Sequence, residues 1–447
     1  MIGWGKKRRE SVSMITETRS DYLDSLLHGR NVVPEARTGW LKRLRAEAVD
    51  RANALAVPTT RDEDWRLTDL SPLYKAPYLP SARPGDVSEA DLGRFEIPEA
   101  TTRLTFVDGH FSVGLSRVAL ASGVLVANIP DALSAHGGVI ESALGTLAGT
   151  GHDAFAAINT AFLHDGALVH LGRNSNGIAP IHLLFVTTRN DVAAYPRVLV
   201  IAEPGAQCTL VEDFVGLTDG GYFTDAVAEI TVGENARIAH IKLQRESQAA
   251  FHIARTSVSV ARDGRYSSWC VALGARISRH NCDVLQAGVG AELSIEGLAL
   301  IGGRQLADTS SLIDHAHPNG RSRQLHKTVV GGGAHAVFNG KILVRQDAQQ
   351  TDAGQQSRNL LLSDRAHVDT KPQLEIFADD VKCAHGATVG QIESDELFYL
   401  KSRGLSDATA RNLLTYAFAA EIIERIPVKS VVERLENHVL EQTRIKS

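Results

Sequence analysis

Between Leu104 and Phe377 the chain is a succession of short runs rich in Val, Ile and Leu, each punctuated by Gly, Asn or Asp. Leu104–Val107, Val124–Asn128, Ile181–Thr187, Val198–Ala202, Ala226–Val232, Ile238–Leu243, Leu293–Leu300 and Leu374–Phe377 are typical. Runs of this length and composition read as β-strands. Hairpin dipeptides are scarce between them, and Asn339-Gly340 is the clearest exception. Roughly 280 residues of short strands with almost no helical period exceed what one sandwich can hold. A solenoid, in which each coil stacks on the last, accommodates them, although no strict hexapeptide or nonapeptide repeat is visible. Its open ends would need covering.

The flanks supply candidates for that. From about Asp21 to Val57 the reading is helical, with Trp40, Leu41, Leu44, Ala48 and Val49 on one stripe and Pro58 as the stop. The charged segment around Trp65 reads as a loop with a short helix start at Thr68, and residues 71–100 read as a proline-rich connector. At the other end Ser406 is an N-cap with Asp407 in the first turn. Ala410, Leu413, Leu414, Ala417, Phe418 and Ile422 follow a helical period, and after Pro427 so do Val428, Val431, Val432, Leu435 and Val439. Such helices can pack on their own domain, the default, or dock a partner. The expected organisation is a helical region and connector over 1–100, a β-helix core over 101–392 and a helical region over 393–447.

A net charge of −5 argues against a nucleic-acid or anionic-membrane binder. Four scattered cysteines, Cys208, Cys270, Cys282 and Cys383, suggest no disulfide framework, so a reducing, cytoplasmic setting is expected. No apolar run is long enough for a membrane helix. Lys6-Lys7-Arg8-Arg9 is not followed by the apolar stretch of a signal peptide, and Met14 is an alternative start to Met1.

The chemistry-bearing residues are few. Gly331-Gly332-Gly333 with Gly340-Lys341 lacks phosphate-loop spacing, and Ile342 stands where a magnesium-holding hydroxyl would be needed; a glycine-rich corner explains it better. His315, His317, His326 and His335 crowd one region, but the turn at Pro318-Asn319-Gly320 favours exposed polar packing over metal ligation. Asp347, Asp352, Asp364 and Asp369 could suggest a stand-alone β-helix carbohydrate-active enzyme, yet they read better as turn residues. Gln244 and Arg255 are polar residues inside strands to which spacing assigns no role. Cys383 and His385, at i and i+2, share one face of an extended strand. Together they can ligate iron, carry sulfur or form a nucleophile–base couple. Spacing alone favours an inert thiol and a surface imidazole, because one Cys-x-His is half a metal site at best.

The segment from Asp379 to Gly390, with Lys371-Pro372-Gln373-Leu374-Glu375-Ile376 before it and Leu397-Phe398-Tyr399-Leu400-Lys401-Ser402-Arg403-Gly404 after it, closely resembles the SufD signature of the SufB/SufD family. These are scaffold subunits of the SUF iron–sulfur cluster assembly machinery. Asn359-Leu360-Leu361-Leu362-Ser363-Asp364, Glu63-Asp64-Trp65-Arg66 and Thr68-Asp69-Leu70 belong to the same pattern. SufB-like chains carry a cysteine where Asn359 stands and read Glu-His-Glu-Ala-Thr in the region of Cys383 to Thr388, so the likeness is to SufD; a SufB-like paralogue that builds the cluster itself is the alternative.

The resemblance implies a mainly β protein, a right-handed parallel β-helix with N-terminal and C-terminal α-helical regions. It implies a non-catalytic scaffold that pairs with SufB and binds the SufC ATPase, and it leaves room for a homodimer in isolation. His385, as a transient iron ligand, and its neighbour Cys383 would lie at the SufB–SufD interface. Leu413, Leu414, Phe418, Ile422, Val431 and Leu435 would form the SufC-docking helices. No cofactor is expected to be stably bound, only transient iron or a nascent cluster shared with SufB.

Overall fold

The structure is a computed structural model that describes residues 21–444 apart from 76–77, 120–121, 149–152 and 178; the alternative start at Met14 lies outside the described residues. Two long sheets face each other and are built by alternation. Successive strands from Arg197 onward enter opposite sheets and pair with the strand one coil earlier, in parallel. Sheet A ends on strand His367–Ile376 and sheet B on Lys382–Gln391. The result is a parallel β-solenoid with helical regions at both ends of the chain, as the run pattern predicts, but the C-terminal helices do not cover its last coil: they lie on the outer face of sheet B.

Register explains why no fixed repeat is legible. Arg265 pairs with Glu292 and Arg321 with Asp352, so each coil takes roughly 30 residues but not a constant number. The slack is in the corners, where Asn235, Asp263 and Asn319 adopt positive φ, which short polar side chains tolerate. Gly332 is such a corner (φ 64°), and a Cβ there would come within 2.9 Å of the Gly303 nitrogen one coil below. The triple glycine is therefore a stacking corner rather than a phosphate cradle.

Asn339-Gly340 is not a turn. Both lie inside strand His335–Val344, and Gly340 is required because a Cβ would meet Gln355 Nε2 at 2.3 Å and Phe338 at 2.6 Å inside the solenoid. The strands also run longer than their apolar runs, since the solenoid interior is only partly apolar. One cluster of Val, Ile, Leu and Phe fills part of the lumen from Leu104 to Val344. Glu212, His240, Lys242, Gln324, His326 and Gln355 are all buried polar residues of sheet B.

Two helices interrupt the stretch expected to lack helical period: α3 (Ile129–Ala143) and α4 (Ala154–Ala161), following α1 (residues 21–28) and α2 (Gly39–Leu55). Gly137-Gly138 and a non-helical His136 blur the period of α3, and α4 is buried along its whole length, so neither shows an amphipathic stripe. The helix expected over Asp21–Val57 is likewise two, α1 and α2, separated by a turn at Gly29–Val32 and extended chain around Pro34. At Trp65 there is a single 3-10 turn, Glu63–Trp65, and no helix begins at Thr68.

The chain closes with α5 (Ser394–Ser402), α6 (Asp407–Ile423) and α7 (Lys429–Arg444). Ser406 caps α6 by accepting from the Thr409 N–H at 3.1 Å. α6 and α7 bury Ala419, Ile422, Val431, Leu435 and Val439 against Ile241, Val271, Leu298 and Leu325 on the outer face of sheet B.

Candidate functional site

Strand Lys382–Gln391 is the last rung of sheet B, and its outer edge has no ladder partner among the described residues. The same holds for His367–Ile376 in sheet A, where Pro372, which has no N–H to donate, is tolerated as an edge residue. This end of the solenoid is open. Ile376, Phe377 and Val389 are exposed there, Phe377 to 63%.

Cys383 and His385 do share a face, and it is the face toward the lumen. Their register partners are Ala353 and Gln355, both buried. Gln355 reaches across the interior to Gly340 of sheet A and donates to Gln324 Oε1 at 2.6 Å. Gln324 in turn contacts the Ser311 hydroxyl and lies 3.0 Å from His326 Nε2. Cys383 is half-buried against the apolar cluster, and burial raises its thiol pKa. His385, one coil nearer the open end of the polar column than Gln355, is exposed. A shallow cleft beside it is lined by Arg323, Gln356, Glu421 and Arg425.

The column continues inward. His240 Nδ1 lies 2.8 Å from the Tyr266 hydroxyl and its Nε2 3.2 Å from Glu212, while Lys242 lies 3.6 Å above the Phe214 ring. Burial pushes the Cys270 thiol up to about 11 and the Cys208 thiol up to about 12, so both stay protonated. Gln244 belongs to this interior and donates to Glu246 at 3.0 Å. Arg255 does not: it points outward and pairs with Asp153 and Asp283, because strand alternation puts it opposite Ala254 and Thr256.

The histidines grouped by sequence separate in space. His315 is buried between Gln286 Oε1 and Ser322 Oγ, each at 2.9 Å, and burial lowers its pKa to about 4. His326 stacks on Phe338 inside the solenoid, and burial takes it to about 3. His317 is exposed on the following turn, and His335 lies on the outside of sheet A beside His367. The four aspartates form no facing pair: Asp347 and Asp364 sit on turns, Asp352 holds Arg323 at 2.7 Å, and Asp369 faces His335.

Of the residues expected on docking helices, Leu413 is exposed and Leu414 and Phe418 are half-buried. Ile422, Val431 and Leu435 are not presented to a partner, because they fill the seam between α6, α7 and sheet B. The largest exposed apolar side chains of this region are Phe398 and Tyr399 on α5, a helix that buries no residue.

Two family models divide the chain between them. Residues 16–183 match the SufBD protein N-terminal region, and residues 185–418 match the SufBD core domain of SUF system FeS cluster assembly. The chain belongs to the SufBD family. An iron–sulfur cluster assembly SufBD family protein of Synechocystis is 40% identical over 95% of this chain and 96% of its own length. The iron–sulfur cluster assembly protein SufD of Escherichia coli is 35% identical over 83% of this chain and 85% of its own. The chloroplastic protein ABCI7 of Arabidopsis thaliana is 33% identical over 89% and 85%. The open coil with Cys383 and His385 lies inside the SufBD core match. What the Cys-x-His spacing leaves open, the fold makes concrete: both residues face the lumen at its uncovered mouth. Sequence reasoning missed Gln355 and Gln324 beneath them. Pro372 beside Lys371 was the signal for an edge strand.

Proposed function

We propose that this chain is a SufD-type, non-catalytic scaffold subunit that pairs with SufB through the open last coil and binds the SufC ATPase through its C-terminal helices. The observation that carries the reading is the ten-residue edge Lys382–Gln391, unpaired on its outer side among the described residues, with His385 at the lumen mouth. An edge strand of that length is a template for another chain's strand. A solenoid of like cross-section would continue the two sheets and cover Ile376, Phe377 and Val389.

At such a junction His385 would be a transient ligand for ferrous iron, the cargo of assembly, with remaining ligands from SufB; imidazole suits that ion. Cys383 could relay sulfur only as a thiolate, and its raised pKa means a metal or cation from the partner must lower it first. SufC would engage the accessible side of the terminal helices: Leu413, Leu414 and Phe418 on α6, with Phe398 and Tyr399 of α5 adjoining in sequence. Ile422, Val431 and Leu435 then serve as the buried seam that transmits a pull on α6 to sheet B. The separated aspartates speak against carbohydrate hydrolysis, which needs two facing carboxyl groups. No helix among the described residues is long and apolar enough to cross a membrane.

The test is co-expression of this chain with SufB and SufC, followed by size-exclusion chromatography and iron and sulfide analysis. A complex that carries cluster supports the reading. Elution of this chain alone under every condition overturns it.

A further inference from the structure

The outer face of sheet A carries a cluster of metal-ligating groups distant from His385 along the coil. His335 and His367 begin neighbouring strands and are direct register partners. Asp369, two residues on, shares the face of His367 by strand alternation. Ala336 and Phe338, the alternate residues, are buried within the solenoid, so the cluster faces outward. Both imidazoles turn Nε2 to one carboxylate oxygen: His335 Nε2 is 2.8 Å and His367 Nε2 3.2 Å from Asp369 Oδ2. The three candidate ligand atoms all lie within 4.8 Å of one another, and the two rings are 5.0 Å apart at 53°.

A carboxylate bridging two imidazoles by hydrogen bonds alone would require both rings to carry their proton on Nε2. A metal ion meets the same geometry with the protons on Nδ1. Metal–nitrogen and metal–oxygen bonds of about 2.0–2.2 Å place neighbouring donors roughly 3–3.5 Å apart, close to the two imidazole–carboxylate separations already present. Two imidazoles and one carboxylate suit a first-row transition ion, whereas calcium and magnesium call for all-oxygen shells.

We propose that His335, His367 and Asp369 bind one divalent first-row transition ion. The ion staples the terminal strand of sheet A, His367–Ile376, to its only ladder neighbour among the described residues, His335–Val344. The site goes beyond the scaffold reading and is independent of it. His367 follows the corner at residues 362–366, whereas Cys383 and His385 follow the corner at 377–381 on the other side of the coil.

The test uses the full chain, without a histidine tag and stripped of metal. It is titrated with Co(II), read by visible absorption, and with Zn(II), read by calorimetry. Asp369→Asn and the double variant His335→Asn/His367→Asn are run beside it, with His317→Ala, on an exposed turn, as a control outside the cluster. Wild type should bind one ion per chain and gain thermal stability from it. Affinity should fall by about tenfold or more in both cluster variants and remain unchanged in His317→Ala. Should the double variant fail to fold, His367→Asn alone, whose side chain is 64% exposed, must show the same loss. Wild type that takes up neither ion, or cluster variants that bind as tightly as wild type, would overturn the proposal.

Discussion

His385 stands one rung above Gln355 in sheet B, and that single step takes the same column from closed to open. Gln355 is 1% exposed and hydrogen-bonded to Gln324, whereas His385 is exposed at the mouth of the lumen. A side chain so placed contributes little to its own subunit's packing. It is available for shared chemistry.

His385→Ala should therefore change the stability of the isolated chain by no more than about 0.5 kcal/mol. It should leave co-purification with SufB and SufC intact and lower the cluster yield of the reconstituted complex. Normal cluster yield removes His385 from the mechanism; loss of the complex itself makes it a docking residue instead.

Cysteine reactivity should follow position along the lumen. Cys208 and Cys282 are buried, and Cys270, though half-exposed by surface, is held protonated by desolvation inside the lumen, while Cys383 is half-buried at the open end. Iodoacetamide applied to the native chain should label Cys383 alone, faster as pH rises toward its elevated pKa. Peptide mapping reads the outcome, and equal labelling of Cys270 would show that the lumen is not closed.

Lys327 joins α6 to the solenoid. Its Nζ donates to the Phe418 carbonyl at 2.8 Å, pairs with Glu421 and sits 4.3 Å over the Phe418 ring, with the side chain only 5% exposed. Lys327→Met should loosen α6 by about 1–3 kcal/mol. Hydrogen exchange should then quicken across 407–423 while the strands of sheet B stay protected. Unchanged exchange in α6 would mean that the apolar seam holds it unaided.

Arg197 is buried completely, pairs with Glu229 and donates to Asn159 Oδ1 and Thr160 Oγ1 at 3.1 Å. Glu229 also accepts from the N–H groups of Gly145, Leu147 and Ala148. Arg197→Met strands that carboxylate and should cost about 3–5 kcal/mol in urea denaturation. Adding Glu229→Gln should recover part of the loss, since a neutral amide oxygen still accepts. A double variant no more stable than the single one would place the loss in packing rather than in the stranded charge.

Acid should weaken the fold through its buried imidazoles. Burial lowers His315 to about 4 and His326 to about 3, against an unfolded value of about 6.5. In the window below pH 6.5 and above those values the unfolded chain binds protons that the native chain refuses. Their contribution is thus present above pH 6.5 and is lost on acidification, by up to about 1.4 kcal/mol per pH unit for each. Asp165, raised by burial to about 6, acts in the opposite direction, since protonation relieves it, as do Asp225, Asp283 and Glu296, whose carboxyls burial also raises. His164, lowered by burial to about 4, and the buried His182, His252 and His280 act with His315 and His326. Urea midpoints at pH 7 and pH 5 should converge in His326→Gln relative to wild type; an unaltered difference would show that His326 is not refusing its proton.

Much of this was legible because the strands repeat one demand. Each coil needs apolar residues in its lumen, so the runs from Ile181 to Leu374 mark it. Ser406 announces its helix through a local bond to Thr409, and Cys383 and His385 share a face by alternation alone. The helices at 129–143 and 154–161 escaped notice because one is broken near paired glycines and the other is buried on all sides. Asn339-Gly340 misled because dipeptide signals carry no knowledge of Gln355, the side chain that forbids a Cβ there.

The sequence by itself determined the solenoid, its helical ends and the soft-ligand pair, all of which follow from periods of two to four residues. Only the tertiary structure decided that the pair faces the lumen at an open mouth, that Ile422, Val431 and Leu435 are a buried seam, and that His335 meets His367. Those relations join residues a full coil or more apart. Corner lengths that vary from coil to coil set their register, and a register fixed that way becomes readable only when the coils stack.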